Sequence, residues 1–222
     1  MERGKLIVVE GACDGIGKST QFALLKERLE KDGIEVVNHH FPTYESSQGA
    51  FATNYLKGEY GKPSELSPYF INNIYALDRS ITWQTKLKQA YEEGKTILLD
   101  RYTTSSLIYQ ACLISDLEEK KKFIDWVVDY EYNKLGIAKP DLIIFLTAQF
   151  ETVMKMKAAR KENAGVSNDI HERDIEFMNK VYENALFVAN YLGWNFINCD
   201  VDGKMKPIEE IHNEIYKLVR KL

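Results

Sequence analysis

The densest chemistry in the sequence lies in Glu10-Gly11-Ala12-Cys13-Asp14-Gly15-Ile16-Gly17-Lys18-Ser19-Thr20. Four apolar residues, Leu6 to Val9, lead into this glycine-rich turn, and a helix is expected to start near Lys18. A strand, turn and helix in that order aim backbone N–H groups at nucleotide phosphates, and the helix dipole adds partial positive charge. Gly11, Asp14, Gly15, Ile16, Gly17, Lys18, Ser19 and Thr20 are therefore the expected nucleotide-cofactor segment. Lys18 would reach the β- and γ-phosphates and the Ser19 hydroxyl would hold Mg²⁺; the alternative is a glycine-rich strand–helix turn with no ligand.

The spacing departs from the usual loop. Five residues before Gly17 stands Ala12, and Gly11 comes one place too early. Either Ala replaces the first glycine or the loop carries one extra residue, which Gly15 can absorb by taking positive φ. Asp14 is the other oddity, because an anion inside a phosphate cradle is unfavourable unless it faces something else. A sugar hydroxyl of a second substrate would suit it, as would a water on Mg²⁺; the alternative is a turn-former that bonds its own backbone.

Three further segments bear on the acceptor. Asp100-Arg101-Tyr102 follows the apolar Ile97-Leu98-Leu99, at the strand edge where ligands sit in open α/β sheets. Asp100 is placed to bind a water of the Mg²⁺ shell or orient the attacking phosphate, and Arg101 to clamp an acceptor phosphate. A fortuitous surface ion pair is the other possibility. Tyr75 and Arg79 are four apart on a predicted helix and share one face, as a base-stacking ring beside a base-reading guanidinium or as an ordinary helical pair. Phe41-Pro42 forms a rigid turn that can present Phe41 to a ligand, while Ser105, Ser106, Tyr109 and Gln110 belong to the helix after Asp-Arg-Tyr, with Ser106 and Tyr109 facing the same way. His39, His40, His171 and His212 lack zinc-ligand spacing and are expected to be structural.

These residues need a scaffold, and one recurring pattern supplies it. A charged helical segment ends at glycine and a β-rich run follows: Leu24 to Asp32, Gly33, then Ile34 to Val37; Trp83 to Glu93, Gly94, then Lys95 to Asp100; Val181 to Leu192, Gly193, then Trp194 to Asn198. Glycine suits a left-handed helix end, and the apolar runs suit strands buried on both faces. With Leu6 to Glu10 and Asp141 to Leu146 there are five strands alternating with helices, which implies a three-layer α/β/α fold around a five-stranded parallel sheet. Strand order is not readable from the pattern. Glu65 to Tyr91 and Leu117 to Leu135 read as long helices, and Pro207 opens the last. Lys161 to Asp169 lacks hydrophobic periodicity and reads as a mobile surface loop.

Composition narrows the class. The chain has 222 residues, 45% hydrophobic and 28% charged, with a net charge of −4. It is expected to form one domain, 1–222. The net charge disfavours a nucleic-acid binder, which needs excess Lys and Arg. Three scattered cysteines form no disulfide framework and point to a reducing compartment. The apolar start is too short for a signal peptide or a membrane span, so a cytoplasmic location is expected.

In this order, Glu10 to Thr20, Phe41-Pro42, Tyr75 to Arg79, Asp100-Arg101-Tyr102 and Pro140 to Leu146 resemble the thymidylate kinase family over nearly the whole chain. The resemblance implies a P-loop fold, ATP with Mg²⁺ as cofactors, dTMP as acceptor and a homodimer. It also implies that Asp14 binds the substrate 3′-hydroxyl, Tyr75 stacks on thymine where Phe is usual, Arg79 contacts the thymine carbonyl, Arg101 holds the dTMP phosphate, and Tyr109 disfavours a 2′-hydroxyl. Many members carry an Arg two residues after Phe-Pro, where this chain has Tyr44. Lacking the loop arginine of one branch, the chain is expected to supply a catalytic cation from a lid at about 160–174, with Arg160 first and Arg173 and Lys161 behind it. The remaining alternatives are a kinase of another deoxynucleotide or deoxynucleoside, and a nucleotide-dependent binding protein with a degenerate loop.

Overall fold

The computed structural model describes residues 3–164 and 175–222, and of 159–164 only the helical backbone. Five parallel strands, β1 (Leu6–Gly11), β2 (Val36–His40), β3 (Thr96–Asp100), β4 (Leu142–Thr147) and β5 (Asn195–Asn198), lie in the order β2-β3-β1-β4-β5. Between and after them run α1 (Lys18–Lys31), α2 (Ala50–Leu56), α3 (Pro68–Thr82), α4 (Lys88–Glu92), α5 (Thr103–Tyr109), α6 (Leu117–Val128), α7 (Phe150–Ala164), α8 (Ile175–Tyr191) and α9 (Ile208–Val219). A two-stranded antiparallel ribbon, β6 (Asp200–Val201) with β7 (Lys204–Met205), was not foreseen in the sequence.

The unbroken apolar strands are explained by the two layers that cover them. Ile7, Val9, Leu98, Ile144 and Leu146 pack with Leu25 and Leu29 of α1 and Ile211 and Ile215 of α9. Their neighbours Leu6, Val8, Ile97 and Leu99 point the other way, onto Trp83, Leu87 and Tyr91. On that same side Phe145 meets Leu107 and Ile108 of α5, Phe123 and Ile124 of α6, and Val188 of α8. Successive strand residues alternate faces, so a strand buried on both sides must be apolar at every position.

Sheet order places the site. From β1 the chain passes through α1 to β2, and from the adjacent β3 it passes through α5 and α6 to β4, on the opposite face. Connections that diverge from neighbouring strands leave a crevice at their carboxyl ends. Val9 is paired with Asp100 there, so the phosphate loop and Asp100-Arg101 emerge side by side.

All three helix-ending glycines have positive φ: 80° at Gly33, 90° at Gly94 and 66° at Gly193. Each closure also takes the next residue's N–H back into the helix, from Ile34 to Leu29 O, Lys95 to Ala90 O, and Trp194 to Ala189 O. Those bonds complete the helix end, so strand pairing starts later than the apolar runs suggest, at Val36, Thr96 and Asn195. The predicted helix from Glu65 is corrected likewise. Glu65 closes a short 3₁₀ turn, and α3 begins at Pro68, which forces Ser67 into extended backbone. From Pro68 the helical path runs through a π-helical stretch, Trp83–Leu87, into α4. A second π-helical stretch, Asp129–Lys134, continues α6.

Candidate active site

The phosphate loop leaves β1 with both Gly11 and Ala12 still tied to β4. Gly11 stays in register opposite Leu146, and Ala12 extends the ladder by donating its N–H to Leu146 O at 2.9 Å. In the turn that follows, Gly15 and Gly17 have φ of 93° and 97°. The turn is tight: a Cβ on Gly11 would stand 2.9 Å from Ile16 Cγ2, and one on Gly15 would stand 2.8 Å from Lys157 Cγ. Ile16 itself is anchored in the core, so only its backbone is free for a ligand. Lys18 is the first residue of α1, as expected.

Four charged side chains converge beside this loop. Arg101 forms an ion pair with Asp14 and lies over the Tyr109 ring at 5.6 Å, while the Tyr109 hydroxyl donates to Asp14 Oδ2 at 3.2 Å. Lys18 Nζ stands 3.9 Å from Asp14 Oδ1 and 3.5 Å from Asp100 Oδ1. Burial alone would raise the Asp14 carboxyl pKa; Arg101, then Lys18 and Lys157, outweigh it and bring it to about 2. Burial, reinforced by Asp14, pushes the Tyr109 phenol well up, so it stays a neutral donor. Arg101 adopts left-handed backbone, φ 66°, a conformation that non-glycine residues hold at a cost and that concentrates at ligand sites.

The cavity these groups border has a volume of about 300 Å³, within the range of small-molecule sites. Tyr75, Arg79, Ser106 and Gln110 also line it. Arg79 is 2% exposed and grips Glu131 with both Nε and Nη2 at 2.7 Å. Its Nη2 also donates to Ser106 Oγ at 2.8 Å, and Nη1 to Tyr102 O at 3.4 Å. Gln110 Oε1 is buried with no hydrogen-bond partner, and the residue lines the cavity. The cavity thus joins side chains of the phosphate loop to a slot bordered by the Tyr75 ring, the Gln110 amide and the buried Arg79 guanidinium, a set of groups suited to a nucleotide.

A family model described as Thymidylate kinase matches residues 9–215. The chain is 34% identical to the putative thymidylate kinase 251L of Invertebrate iridescent virus 6, over 90% of this chain and 83% of that one. It is 31% identical to the thymidylate kinase of Plasmodium falciparum, over 100% and 92%. The chain belongs to the thymidylate kinase family. The fold agrees with the solved thymidylate kinase of Candida albicans at a TM-score of 0.74 and 23% identity, over 99% of this chain and 92% of that one.

Against that family's expected site, the cavity gathers Asp14, Lys18, Ser19, Phe41, Pro42, Tyr75, Arg79, Asp100, Arg101, Ser105, Ser106, Tyr109 and Gln110. Gly11, Gly15, Ile16, Gly17 and Thr20 do not line it; they shape or follow the loop. Tyr44 does line it, so the position where many thymidylate kinases carry arginine holds a phenol. Arg160 and Lys161 fall in the last turns of α7, so the expected loop from Lys161 begins as helix as far as Ala164; their side chains, Arg173 and the rest of the lid, 165–174, lie outside the described residues.

Three side chains were passed over in the sequence. His40, grouped there with structural histidines, borders the cavity and bonds Asp100 Oδ2 through Nδ1 at 3.0 Å. Glu10 is 1% exposed and accepts from Gly11 N, Thr104 Oγ1 and Ser105 Oγ, tying the loop to α5. An acid ending an apolar strand was the signal for it. Glu131, fully buried against Arg79, lies in a long helical stretch with nothing local to mark it.

The residues present fit Mg²⁺. Asp100 Oδ1 is buried with no hydrogen-bond partner, and Ser19 borders the same cavity. Among the described residues no cluster of three or more His, Cys, Asp or Glu forms a metal cage. Mg²⁺ is typically held by one or two protein oxygens together with substrate phosphates, and needs no such cage.

Proposed function

We propose that this chain transfers the γ-phosphoryl of ATP to the 5′-phosphate of dTMP by in-line displacement, giving dTDP and ADP. The observation that carries the proposal is the pair between Asp14 of the phosphate loop and Arg101, which lines the same cavity as Tyr75 and Arg79. An acceptor seated there would need both a sugar hydroxyl, for Asp14, and a phosphate, for Arg101. A deoxynucleoside would leave the Arg101 charge without its second partner.

The roles follow from donor and acceptor counts. Loop N–H groups and Lys18 hold the ATP phosphates and neutralise charge as it develops. Arg101 has five N–H donors, so it can keep Asp14 and still clamp the acceptor phosphate. Asp14 accepts the 3′-hydroxyl. Tyr75 stacks on the base and Arg79 donates to its 4-carbonyl. Tyr109 fills the space beside the sugar that a 2′-hydroxyl would need. The acceptor phosphate is already nucleophilic at neutral pH, so no general base is needed.

Ser19 and Asp100 would hold Mg²⁺, which would supply neutralisation of the triphosphate charge. The lid at 160–174, with Arg160 as its catalytic cation, belongs to the same proposal; Arg160→Ala lowers turnover far more than it weakens dTMP binding. So do a cytoplasmic setting, a single kinase domain over 1–222, and a homodimer. No helix among the described residues is long and apolar enough to cross a membrane. Support for the dimer comes from α3, whose Phe70, Leu77 and Ile81 form a stripe 46%, 43% and 37% exposed.

Coupled ADP release with Mg·ATP against dTMP, dUMP, dCMP, dGMP and thymidine tests the acceptor. Strong preference for dTMP is expected. Activity on thymidine alone would show Arg101 misassigned, and silence with all five would favour a binding protein.

A further inference from the structure

We infer that Glu131 is a positioning residue for base selection: it locks the Arg79 guanidinium so that a single N–H is left to face the base, and so sets the preference for a 4-carbonyl over a 4-amino group. The inference rests on the proposed dTMP kinase activity and deepens it.

Arginine has five N–H donors in a rigid planar fork. Four of the Arg79 bonds are accounted for: Nε–H and one Nη2–H to Glu131, the other Nη2–H to Ser106 Oγ, and one Nη1–H to Tyr102 O. One Nη1–H remains beyond these four bonds, and Arg79 borders the cavity. Glu131 is itself fixed, since Thr103 Oγ1 donates to its Oε2 at 2.8 Å and the residue is fully buried. It projects from the π-helical stretch Asp129–Lys134, a local widening that recurs at functional sites.

Two consequences follow from the chemistry. The carboxylate neutralises Arg79, so the slot offers a hydrogen bond to a neutral base without an uncompensated buried charge. It also removes the freedom of the fork to turn. A 4-carbonyl accepts the remaining N–H, whereas a 4-amino group sets donor against donor and leaves both unpaired, the arrangement that gives hydrogen-bonding sites their selectivity. With Glu131 shortened or made amide, the fork can swing clear, losing the thymine contact and admitting cytosine.

The test compares kcat/KM for dTMP and dCMP in the full-length protein and in E131Q and T103V, with the KM for ATP and the thermal midpoint measured alongside. Glu131→Gln replaces one acceptor with a donor facing Arg79. Thr103→Val removes only the hydroxyl that seats Glu131. The dTMP-to-dCMP ratio is expected to fall at least tenfold in E131Q and about threefold in T103V, mainly through a higher KM for dTMP, with the KM for ATP unchanged. An unchanged ratio in folded E131Q overturns the inference. Should E131Q not fold, T103V decides: a lowered ratio supports Glu131 as the lock, and an unchanged one removes it. A wild-type protein inert towards dTMP overturns the activity beneath the inference and the inference with it.

Discussion

Arg101 reaches across from the end of β3 to pair with Asp14 in the phosphate loop, and it does so from left-handed backbone. The backbone conformation costs on the order of 1–3 kcal/mol for a non-glycine residue. It is held because Val9 O accepts the Arg101 N–H at 3.2 Å while the side chain is fixed by Asp14 and the Tyr109 ring. One residue therefore ties the phosphate loop to the end of β3, at the cavity proposed to hold the acceptor.

Replacing Arg101 with Ala is expected to lower kcat/KM for dTMP by about 100-fold or more, the size of a lost preorganised contact to reacting charge, roughly 3 kcal/mol. Arg101→Lys recovers little of it, because an ammonium cannot hold Asp14 and a phosphate in one planar fork. Steady-state kinetics decide the point; a loss under tenfold would place Arg101 outside the reaction.

The Asp14 carboxyl, lowered to about 2 from an ordinary 3.8, gives a signed pH dependence. A depressed folded-state pKa contributes stability that is present above the unfolded pKa and is lost as pH falls through the folded one. Asp14→Asn removes this contribution. In denaturant melts, the stability advantage of the wild type over Asp14→Asn should be constant above pH about 5 and shrink as pH falls from about 4 towards 2. A gap that widens on acidification would contradict the Arg101–Asp14 account.

The site was legible in the sequence wherever a local signal and a strand end coincided. Gly-Lys-Ser and Asp-Arg-Tyr each follow an apolar run, and the sheet then sets them side by side through the Val9–Asp100 pairing. Tyr75 and Arg79 were visible as one helical face. Strand order was not legible, because it depends on which strands neighbour in space. Glu131 was hidden for the same reason: its partner is 52 residues away, and no local feature distinguishes it from the exposed acids of α6. The late strand starts also escaped notice, since apolar pattern does not reveal which N–H groups a helix end will claim.

Burial pushes the Cys13, Cys112 and Cys199 thiols up to about 12, and for Cys13 the neighbouring Asp14 adds to the effect. Reactivity follows the thiolate. Native protein at pH 7.5 is expected to react slowly with a colourimetric disulfide reagent, and all three thiols to react within seconds once denatured. Rapid native labelling at Cys13 would mean that the loop opens far more than its packing against Gly11 and Ile16 implies.

Leu77 stands at the middle of the exposed α3 stripe. Placing an acid there should convert a dimer to a monomer with little change in fold, as an uncompensated charge at an apolar interface is costly. Sedimentation velocity on wild type and Leu77→Asp reads the outcome. A wild type that sediments as a monomer at micromolar concentration would exclude the homodimer.

The most direct measurement follows the phosphoryl group itself. ATP labelled at the γ-position is incubated with Mg²⁺ and dTMP, and the products are separated by chromatography. The label is expected in dTDP, in step with ADP formed, and neither in inorganic phosphate nor on thymidine when thymidine replaces dTMP. Label released only as inorganic phosphate, or transferred to thymidine and not to dTMP, would contradict the proposed function.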